Sequence, residues 1–271
     1  MRLPRMHRLA DRMILRPTTF PVPADNKRRH TIPVAGQQVE VWVHDVGPSQ
    51  PHVDLCILKF PGTGGRAEGS TDQPACFWPH LRTQIWAVNP PGYGGSTGDA
   101  RLEYLAPTAQ AVYDDLRSRL PHCPMLVMGN SLGGVSSLHL ALTRSPDGLV
   151  LRNVPPLRQL IRRRYALRGL VFGSWLIASH VPIELDAIAN ARRATMGCVF
   201  VMSDRDRVVP PPYQRRLHAA YAGPYQVVTL AGGGHASSMS DFEMAQYRHA
   251  LGGWLATVGL AHDLTAAEPC E

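Results

Sequence analysis

The stretch that decides the fold is Gly129-Asn130-Ser131-Leu132-Gly133-Gly134. An apolar run from Met125 to Met128 precedes it, and a segment of helical character from Val135 to Leu142 follows it. Glycines on both sides of a serine permit a sharp strand-to-helix turn, which holds Ser131 clear of the backbone with its hydroxyl exposed. The following helix directs its positive end and its free N–H groups at the reacting atom. The stretch therefore predicts a nucleophilic serine.

The base and the acid that would activate this serine are predicted from their settings in the chain. A serine hydroxyl is a weak nucleophile near neutral pH and needs a base, which itself needs a partner to orient it. Among the 12 histidines, His235 follows three consecutive glycines that come directly after a predicted strand. Asp206 lies in a loop at the carboxyl end of another predicted strand. We expect His235 to be the base and Asp206 the orienting acid, with Asp204 as the alternative acid.

The oxyanion that forms on the substrate needs two backbone N–H donors. The first is expected from Leu132, which directly follows the serine. The second is expected from the glycine-rich loop Phe60-Pro61-Gly62-Thr63-Gly64-Gly65, where we assign it to Thr63. Asn130, directly before the serine, is expected to line the substrate site. A plain glycine-rich turn is the alternative interpretation of the loop.

Strand-like and helix-like segments alternate along the chain, which predicts an α/β fold. Residues 39–46 alternate between apolar and polar and are expected to form an antiparallel early strand. The other predicted strands are short, continuous apolar runs, typical of strands buried on both faces; they cover residues 53–60, 84–89, 125–129, 149–152, 198–202 and 225–230. Helices are predicted at 108–120, 131–144, 211–221 and about 238–258. The length favours one domain over residues 1–271.

Residues 154–182 interrupt this alternation, and we interpret them as a small helical cap over the strand ends. Apolar side chains in this segment are interspersed with arginines. Leu157, Trp175 and Leu176 are expected to line a partly apolar pocket for an acyl group. Short to medium acyl esters are therefore the expected substrates.

Residues 1–30 form a basic N-terminal extension. Within it, residues 1–16 mix five arginines with apolar residues at a spacing typical of a short amphipathic helix. We expect this helix to pack on its own domain, with peripheral contact to an anionic membrane as the alternative. The segment lacks the continuous apolar core of a secretory signal.

The composition excludes several other functions. The net charge is +7, but the basic residues are spread along the chain and aromatic residues make up 7%, which argues against a nucleic-acid groove. The five cysteines show no metal-ligand spacing, so neither a metal nor a cofactor is expected. Cys56 and Cys198 lie in predicted strands and indicate buried thiols in a reducing compartment. The location is therefore predicted to be cytoplasmic.

From about Thr31 to Leu255 the chain resembles the α/β-hydrolase superfamily, and within it the intracellular serine esterases and depalmitoylase-like hydrolases. The resemblance implies a mostly parallel eight-stranded sheet flanked by helices. It also implies a catalytic triad in the chain order Ser131, Asp206, His235. Two positions depart from the common pattern, since Pro61 and Asn130 stand where relatives often have histidine. The motifs that carry the resemblance are 61–65, 89–96, 129–134, 182–186, the Asp206 loop and 234–235.

The expected function is hydrolysis of an ester or thioester of a small-molecule acyl substrate. Ser131 would form an acyl-enzyme, His235 would transfer the proton, and water would release the acyl group. The same triad supports a peptidase or aminopeptidase. It also supports an acyltransferase or cyclase, in which a nucleophile other than water resolves the acyl-enzyme. A non-catalytic binding protein is the alternative from a different class.

Overall fold

A computed structural model describes residues 4–166 and 171–260 of the chain. Its centre is one eight-stranded sheet with the strand order β1-β2-β4-β3-β5-β6-β7-β8. β2 pairs antiparallel with both β1 and β4, and every other neighbouring pair is parallel. The predicted α/β class and the mostly parallel sheet are therefore confirmed. The strands are β1 Arg28–Val34, β2 Gln37–Val46, β3 Leu55–Phe60, β4 Thr83–Asn89, β5 Met125–Asn130, β6 Gly148–Arg152, β7 Cys198–Ser203 and β8 Tyr225–Leu230.

Helices cover both faces of the sheet and bury its apolar side chains. One face packs mainly against α2, α3 and α6, and the other packs against α8 and a short 3₁₀ turn at Ala75–Phe77. β3 and β7 are buried along almost their whole length, which explains their continuous apolar sequence. In the described ranges the helices are α1 Pro4–Ile14, α2 Leu105–Arg119, α3 Leu132–Thr143, α4 Leu157–Ala166, α5 Val171–Ser179, α6 Ala187–Ala191, α7 Pro211–Ala220 and α8 Asp241–Thr257.

The first strand was not predicted as a separate element. β1, with the sequence RRHTIPV, lies at the edge of the sheet, and only Ile32 and Val34 of its side chains are buried. An edge strand with so few buried positions leaves little hydrophobic pattern to recognise. Because β1 begins at Arg28, the basic extension expected over residues 1–30 overlaps the sheet by three residues.

The amphipathic segment near the N-terminus is α1, and its C-terminal half packs on the domain. Ala10 and Leu15 are buried, and Met13 and Ile14 pack against the same core. Asp11 accepts a hydrogen bond from the N–H of Leu102 at 2.9 Å. These contacts agree with packing on its own domain, while membrane contact stays a prediction. Within the described residues, no helix combines the length and the apolar character needed to cross a membrane.

The segment expected as a cap contains α4 and α5, which pack against each other. Residues 167–170 of that segment lie outside the described residues. Among the cysteines, Cys56, Cys123 and Cys198 are buried free thiols, as expected for the first and the last. Cys76 is disulfide-bonded, which does not agree with the reducing compartment expected from the cysteines. The cytoplasmic location remains a prediction.

Candidate active site

Ser131 occupies a strained turn between β5 and α3. Its backbone has φ 49° and ψ −116°, a conformation that costs free energy in a residue with a side chain. The turn brings the first residues of α3 against the end of β3, because a Cβ on Gly133 would lie 2.0 Å from the carbonyl oxygen of Phe60. A Cβ on Gly129 would likewise lie 2.3 Å from the Cα of Gly134. The glycines of the motif are therefore required by close packing of the turn.

The structure brings Asp206 and His235 together. The Nδ1 of His235 lies 2.7 Å from the Oδ2 of Asp206, whose side chain is fully buried. The other carboxylate oxygen accepts hydrogen bonds from the N–H groups of Val208 at 2.7 Å and Val209 at 2.8 Å. Gln214 also donates to Oδ2, at 3.2 Å. These donors fix the carboxylate, and a His235 that donates from Nδ1 keeps Nε2 as a proton acceptor. Asp204, the alternative acid, is exposed.

The end of β6 connects the serine turn to the histidine loop. The N–H of Ser131 donates to the carbonyl oxygen of Arg152 at 2.8 Å. The side-chain amide of the next residue, Asn153, donates to the carbonyl oxygen of His235 at 2.9 Å. Ser131 is thus hydrogen-bonded to Arg152 and His235 to Asn153, two consecutive residues at the same edge of the sheet.

Asn153 is a site residue that the sequence reasoning missed. It is buried and has φ 49°, a conformation that asparagine tolerates better than most residues. Besides its bond to His235, it donates to the Oγ of Ser203 at 3.0 Å and accepts from the N–H of Ser203 at 2.9 Å. It therefore ties the histidine loop to the start of the loop that carries Asp206. The available signal was a polar residue directly after a buried strand.

The predicted oxyanion loop lies beside the serine. A Cβ on Gly62 would lie 3.4 Å from the Cβ of Ser131. The hydroxyl of Thr63 donates to the carbonyl oxygen of Ile14 at 2.5 Å, and the Tyr93 hydroxyl donates to the carbonyl oxygen of Thr63 at 3.0 Å. In the described part of the chain, the N–H of Thr63 forms no backbone hydrogen bond, and Leu132 is the first residue of α3. The role of these two N–H groups as oxyanion donors stays a prediction.

A buried network supports the segment that follows this loop. The side-chain amide of Asn89 donates to Glu40 and to Glu68, at 2.8 Å in each case, and its oxygen accepts from the N–H of Ala67 at 2.9 Å. Burial alone would raise the pKa of Glu40, but hydrogen bonds from the Gly95 N–H, Asn89 and Arg29 lower it. The carboxylate thus stays charged, and it holds the 89–96 motif to β2.

The structure contains two large cavities, and the residues expected to bind substrate are distributed unequally between them. Asn130 is exposed and lines a cavity of about 800 Å³, together with Gly62. Leu176 lines the other, of about 860 Å³. Leu157 is buried in the core and Trp175 is mostly exposed, so these three apolar residues are not grouped in one pocket wall. Within the described residues, no cluster of His, Cys, Asp and Glu is suited to hold a metal ion.

Comparison with solved structures decides the fold. Acetyl xylan esterase 1 from Thermoanaerobacterium superposes with a TM-score of 0.64 over 91% of this chain and 92% of its own, at 13% identity. An esterase from Butyrivibrio proteoclasticus with bound ferulic acid also gives 0.64, at 16% identity, over 84% of this chain and 98% of its own. The chain has the α/β-hydrolase fold. A third neighbour, a puromycin-hydrolyzing peptidase of Mycobacterium tuberculosis, gives a TM-score of 0.66 at 18% identity, over 88% of this chain and 40% of its own.

Sequence comparison also finds relatives of the chain. An uncharacterized protein of Mycobacterium tuberculosis is 28% identical over 243 residues, which cover 83% of this chain and 79% of the relative. No protein-family model matches the chain.

Proposed function

We propose that the chain is a serine hydrolase that cleaves an ester or thioester. The observation that carries this proposal is the 2.7 Å contact between His235 and the buried Asp206, at the same sheet edge as Ser131 on its strained turn. An imidazole oriented by a buried carboxylate, at the same sheet edge as a half-buried serine, suits nucleophilic acyl transfer. Esterases among the solved structures of similar fold support the same choice.

The chemistry proceeds in two steps. His235 removes the proton from Ser131, whose oxygen attacks the carbonyl carbon, and the resulting oxyanion is held by the N–H groups of Leu132 and Thr63. His235 then protonates the leaving alcohol or thiol as the acyl-enzyme forms. Water, activated by the same imidazole, attacks the acyl-enzyme and regenerates the serine. Asp206 orients the ring throughout and stabilises its positive charge.

A peptidase is the second candidate, since one structural neighbour is a puromycin-hydrolyzing peptidase. An aminopeptidase needs a carboxylate to hold the substrate amine, and Glu184 and Asp186 of the 182–186 motif are the candidates. Asp186 already accepts from the N–H of Ala189 at 3.1 Å, at the start of α6, and pairs with Arg158 at 3.4 Å. Asp186 is therefore already engaged, and the exposed Glu184, which lines the cavity of about 860 Å³, is the carboxylate that remains for a peptidase.

A fluorophosphonate probe tests the nucleophile directly, because it forms a covalent adduct with an activated serine. We expect labelling of the wild type and of Ser118→Ala, which alters an exposed serine of α2, but none of Ser131→Ala. Turnover of a panel of p-nitrophenyl esters, thioesters and peptides should fall by several orders of magnitude in Ser131→Ala. Equal labelling of wild type and Ser131→Ala rejects the proposal.

The panel also separates the remaining alternatives. Turnover of peptides without any turnover of esters or thioesters would favour the peptidase. Products that contain an added alcohol or amine acceptor would indicate acyl transfer instead of hydrolysis.

A further inference from the structure

The cavity of about 800 Å³ beside the candidate active site has an unusual distribution of charge. It lies on the face of the sheet that α8 covers, where Met244 and Tyr247 form part of its wall. The wall also contains Gly62 and Asn130, and Gly62 packs against Ser131. A substrate bound at Ser131 therefore has this cavity directly beside it.

Three cationic side chains line this cavity, namely Lys59, Arg66 and Arg152. None of the residues described along its wall is an aspartate or glutamate. Arg66 is paired with the buried Glu68, so its charge is compensated locally. Lys59 and Arg152 form no salt bridge with a carboxylate in the described part of the chain, and their side chains donate instead to backbone carbonyls.

The sheet register places these two cations on either side of one strand. Lys59 of β3 pairs with Met128 of β5, and Asn130 of β5 pairs with Arg152 of β6. Both cations line the same cavity, so they face the same side of the sheet. A ligand in this cavity would therefore lie between two cations, with Asn130 beside it.

We infer that this cavity binds an anionic group of the substrate, such as a carboxylate, between Lys59 and Arg152 while the scissile carbonyl lies at Ser131. The inference rests on the proposed function, because it adds a substrate class to that reaction. The acceptors that Lys59 and Arg152 contact are neutral backbone carbonyls, so a bound anion would supply the negative charge that the cavity wall lacks. A carboxylate would accept charge-assisted hydrogen bonds from both.

The electrostatics of Lys59 agree with such a role. Burial lowers the pKa of Lys59 to about 7, while nearby Asp72 raises it and Lys27 lowers it further. Burial also lowers the pKa of Arg152, which remains cationic. A bound anion stabilises the protonated form of Lys59. Binding of the anionic group should therefore weaken as the pH rises through 7.

Paired substrates test the inference. On the acyl side, mono-p-nitrophenyl succinate is compared with p-nitrophenyl butyrate. The two acyl chains have the same length, but butyrate lacks the free carboxylate. On the leaving-group side, 4-acetoxybenzoate is compared with phenyl acetate. The quantity measured is the ratio of kcat/KM for the anionic ester to that for the neutral ester. We expect Lys59→Met to lower this ratio by about tenfold or more in one of the two pairs.

Lys27→Met is the matched control. Lys27 donates to the carbonyl oxygens of Glu68 and Ser70, close to the carbonyls of Thr71 and Gln73 that Lys59 contacts, but it does not line the cavity. Both variants therefore lose hydrogen bonds to the 68–73 segment, but only Lys59→Met also removes a cation from the cavity wall. Ratios that stay unchanged in Lys59→Met, or that fall equally in Lys27→Met, overturn the inference.

A binding measurement separates this inference from the proposed function. Ser131→Ala is titrated with succinate by calorimetry, and Arg152→Gln is introduced into the same background. Binding at pH 6 that weakens at pH 8 and is lost with Arg152→Gln supports an anion site, even if no ester is hydrolysed. Absence of succinate binding to folded Ser131→Ala, with unchanged substrate ratios, rejects the site while leaving the hydrolase proposal intact.

Discussion

The side-chain hydroxyl of Thr63 donates a hydrogen bond of 2.5 Å to the backbone carbonyl of Ile14. It connects the predicted oxyanion loop to the end of α1. The N–H of Arg16 donates to the Tyr93 hydroxyl at 3.1 Å, and that hydroxyl in turn donates to the carbonyl oxygen of Thr63 at 3.0 Å. The basic N-terminal segment therefore braces the loop that is expected to hold the oxyanion.

Thr63→Val removes the bracing hydroxyl and keeps the backbone N–H and the side-chain shape. We expect kcat on a p-nitrophenyl ester to fall by about fivefold, the equivalent of one lost hydrogen bond of ~1 kcal/mol, with a smaller change in KM. Thr63→Ser, which retains the hydroxyl, should restore kcat. Wild-type kcat in Thr63→Val, measured on folded protein, would show that the bond to Ile14 does not position the loop.

Asn153→Asp separates the two roles of Asn153. The variant keeps an oxygen that accepts from the N–H of Ser203 but loses the donor to the carbonyl of His235. We expect kcat to fall by about tenfold, or ~1.4 kcal/mol, because the histidine loop is no longer anchored. Ser203→Ala is the matched control, since it removes the Ser203 Oγ contact and leaves the bond to His235. Steady-state kinetics and urea denaturation of both variants distinguish loss of positioning from loss of stability.

An equal loss of kcat in Ser203→Ala and Asn153→Asp would contradict this assignment. That result would indicate that Asn153 acts by joining β6 to β7, and not by anchoring the histidine loop.

Gly133→Ala should disrupt the turn that carries the serine. The new methyl group would lie 2.0 Å from the carbonyl oxygen of Phe60, which is backbone and has little freedom to move. We expect a loss of several kcal/mol in the free energy of unfolding. Gly253→Ala, on the exposed side of α8, meets only Gln226 at 3.8 Å and should raise stability by ~0.5–1 kcal/mol. Guanidinium denaturation checks both, and near-wild-type stability of Gly133→Ala would refute the packing argument.

The lowered pKa of Lys59 makes the free energy of unfolding depend on pH. Burial lowers the pKa of Lys59 to about 7 in the folded chain, from an ordinary value of 10.5. Between these values the unfolded chain binds more protons than the folded one, so the free energy of unfolding contributed by this group rises with pH. Nearby Asp72 opposes the shift and Lys27 adds to it.

We therefore expect Lys59→Met to reduce the rise in stability between about pH 7 and 10.5 relative to wild type. Urea denaturation at a series of pH values measures the difference between the two curves. Parallel curves over this window would show that Lys59 keeps an ordinary pKa in the folded chain.

The sheet and the pairing of the acid with the histidine were predictable because they leave local patterns. Buried strands appear as continuous apolar runs, and Asp206 and His235 each follow such a run. The choice of Asp206 over Asp204 depends on which loop carboxylate turns inward, and Asp206 is the one that contacts His235, at 2.7 Å.

Other features depend on contacts that the sequence does not display. The partners of Asn153 lie 50 and 82 residues further along the chain, so no local pattern indicates them. Leu157, Trp175 and Leu176 share a hydrophobic character in sequence, but their helices place them in core, solvent and cavity wall respectively. Apolar character alone does not specify which surface a cap residue faces.

The sequence contains two lysines, Lys27 and Lys59, and the amino group of each donates hydrogen bonds to backbone carbonyls of residues 68–73. The other basic side chains are arginines or histidines. Reagents directed at primary amines, such as common cross-linkers and acylating labels, therefore find few freely accessible targets on this protein. Arginine, by contrast, is abundant, so guanidinium-directed chemistry offers the denser set of attachment points.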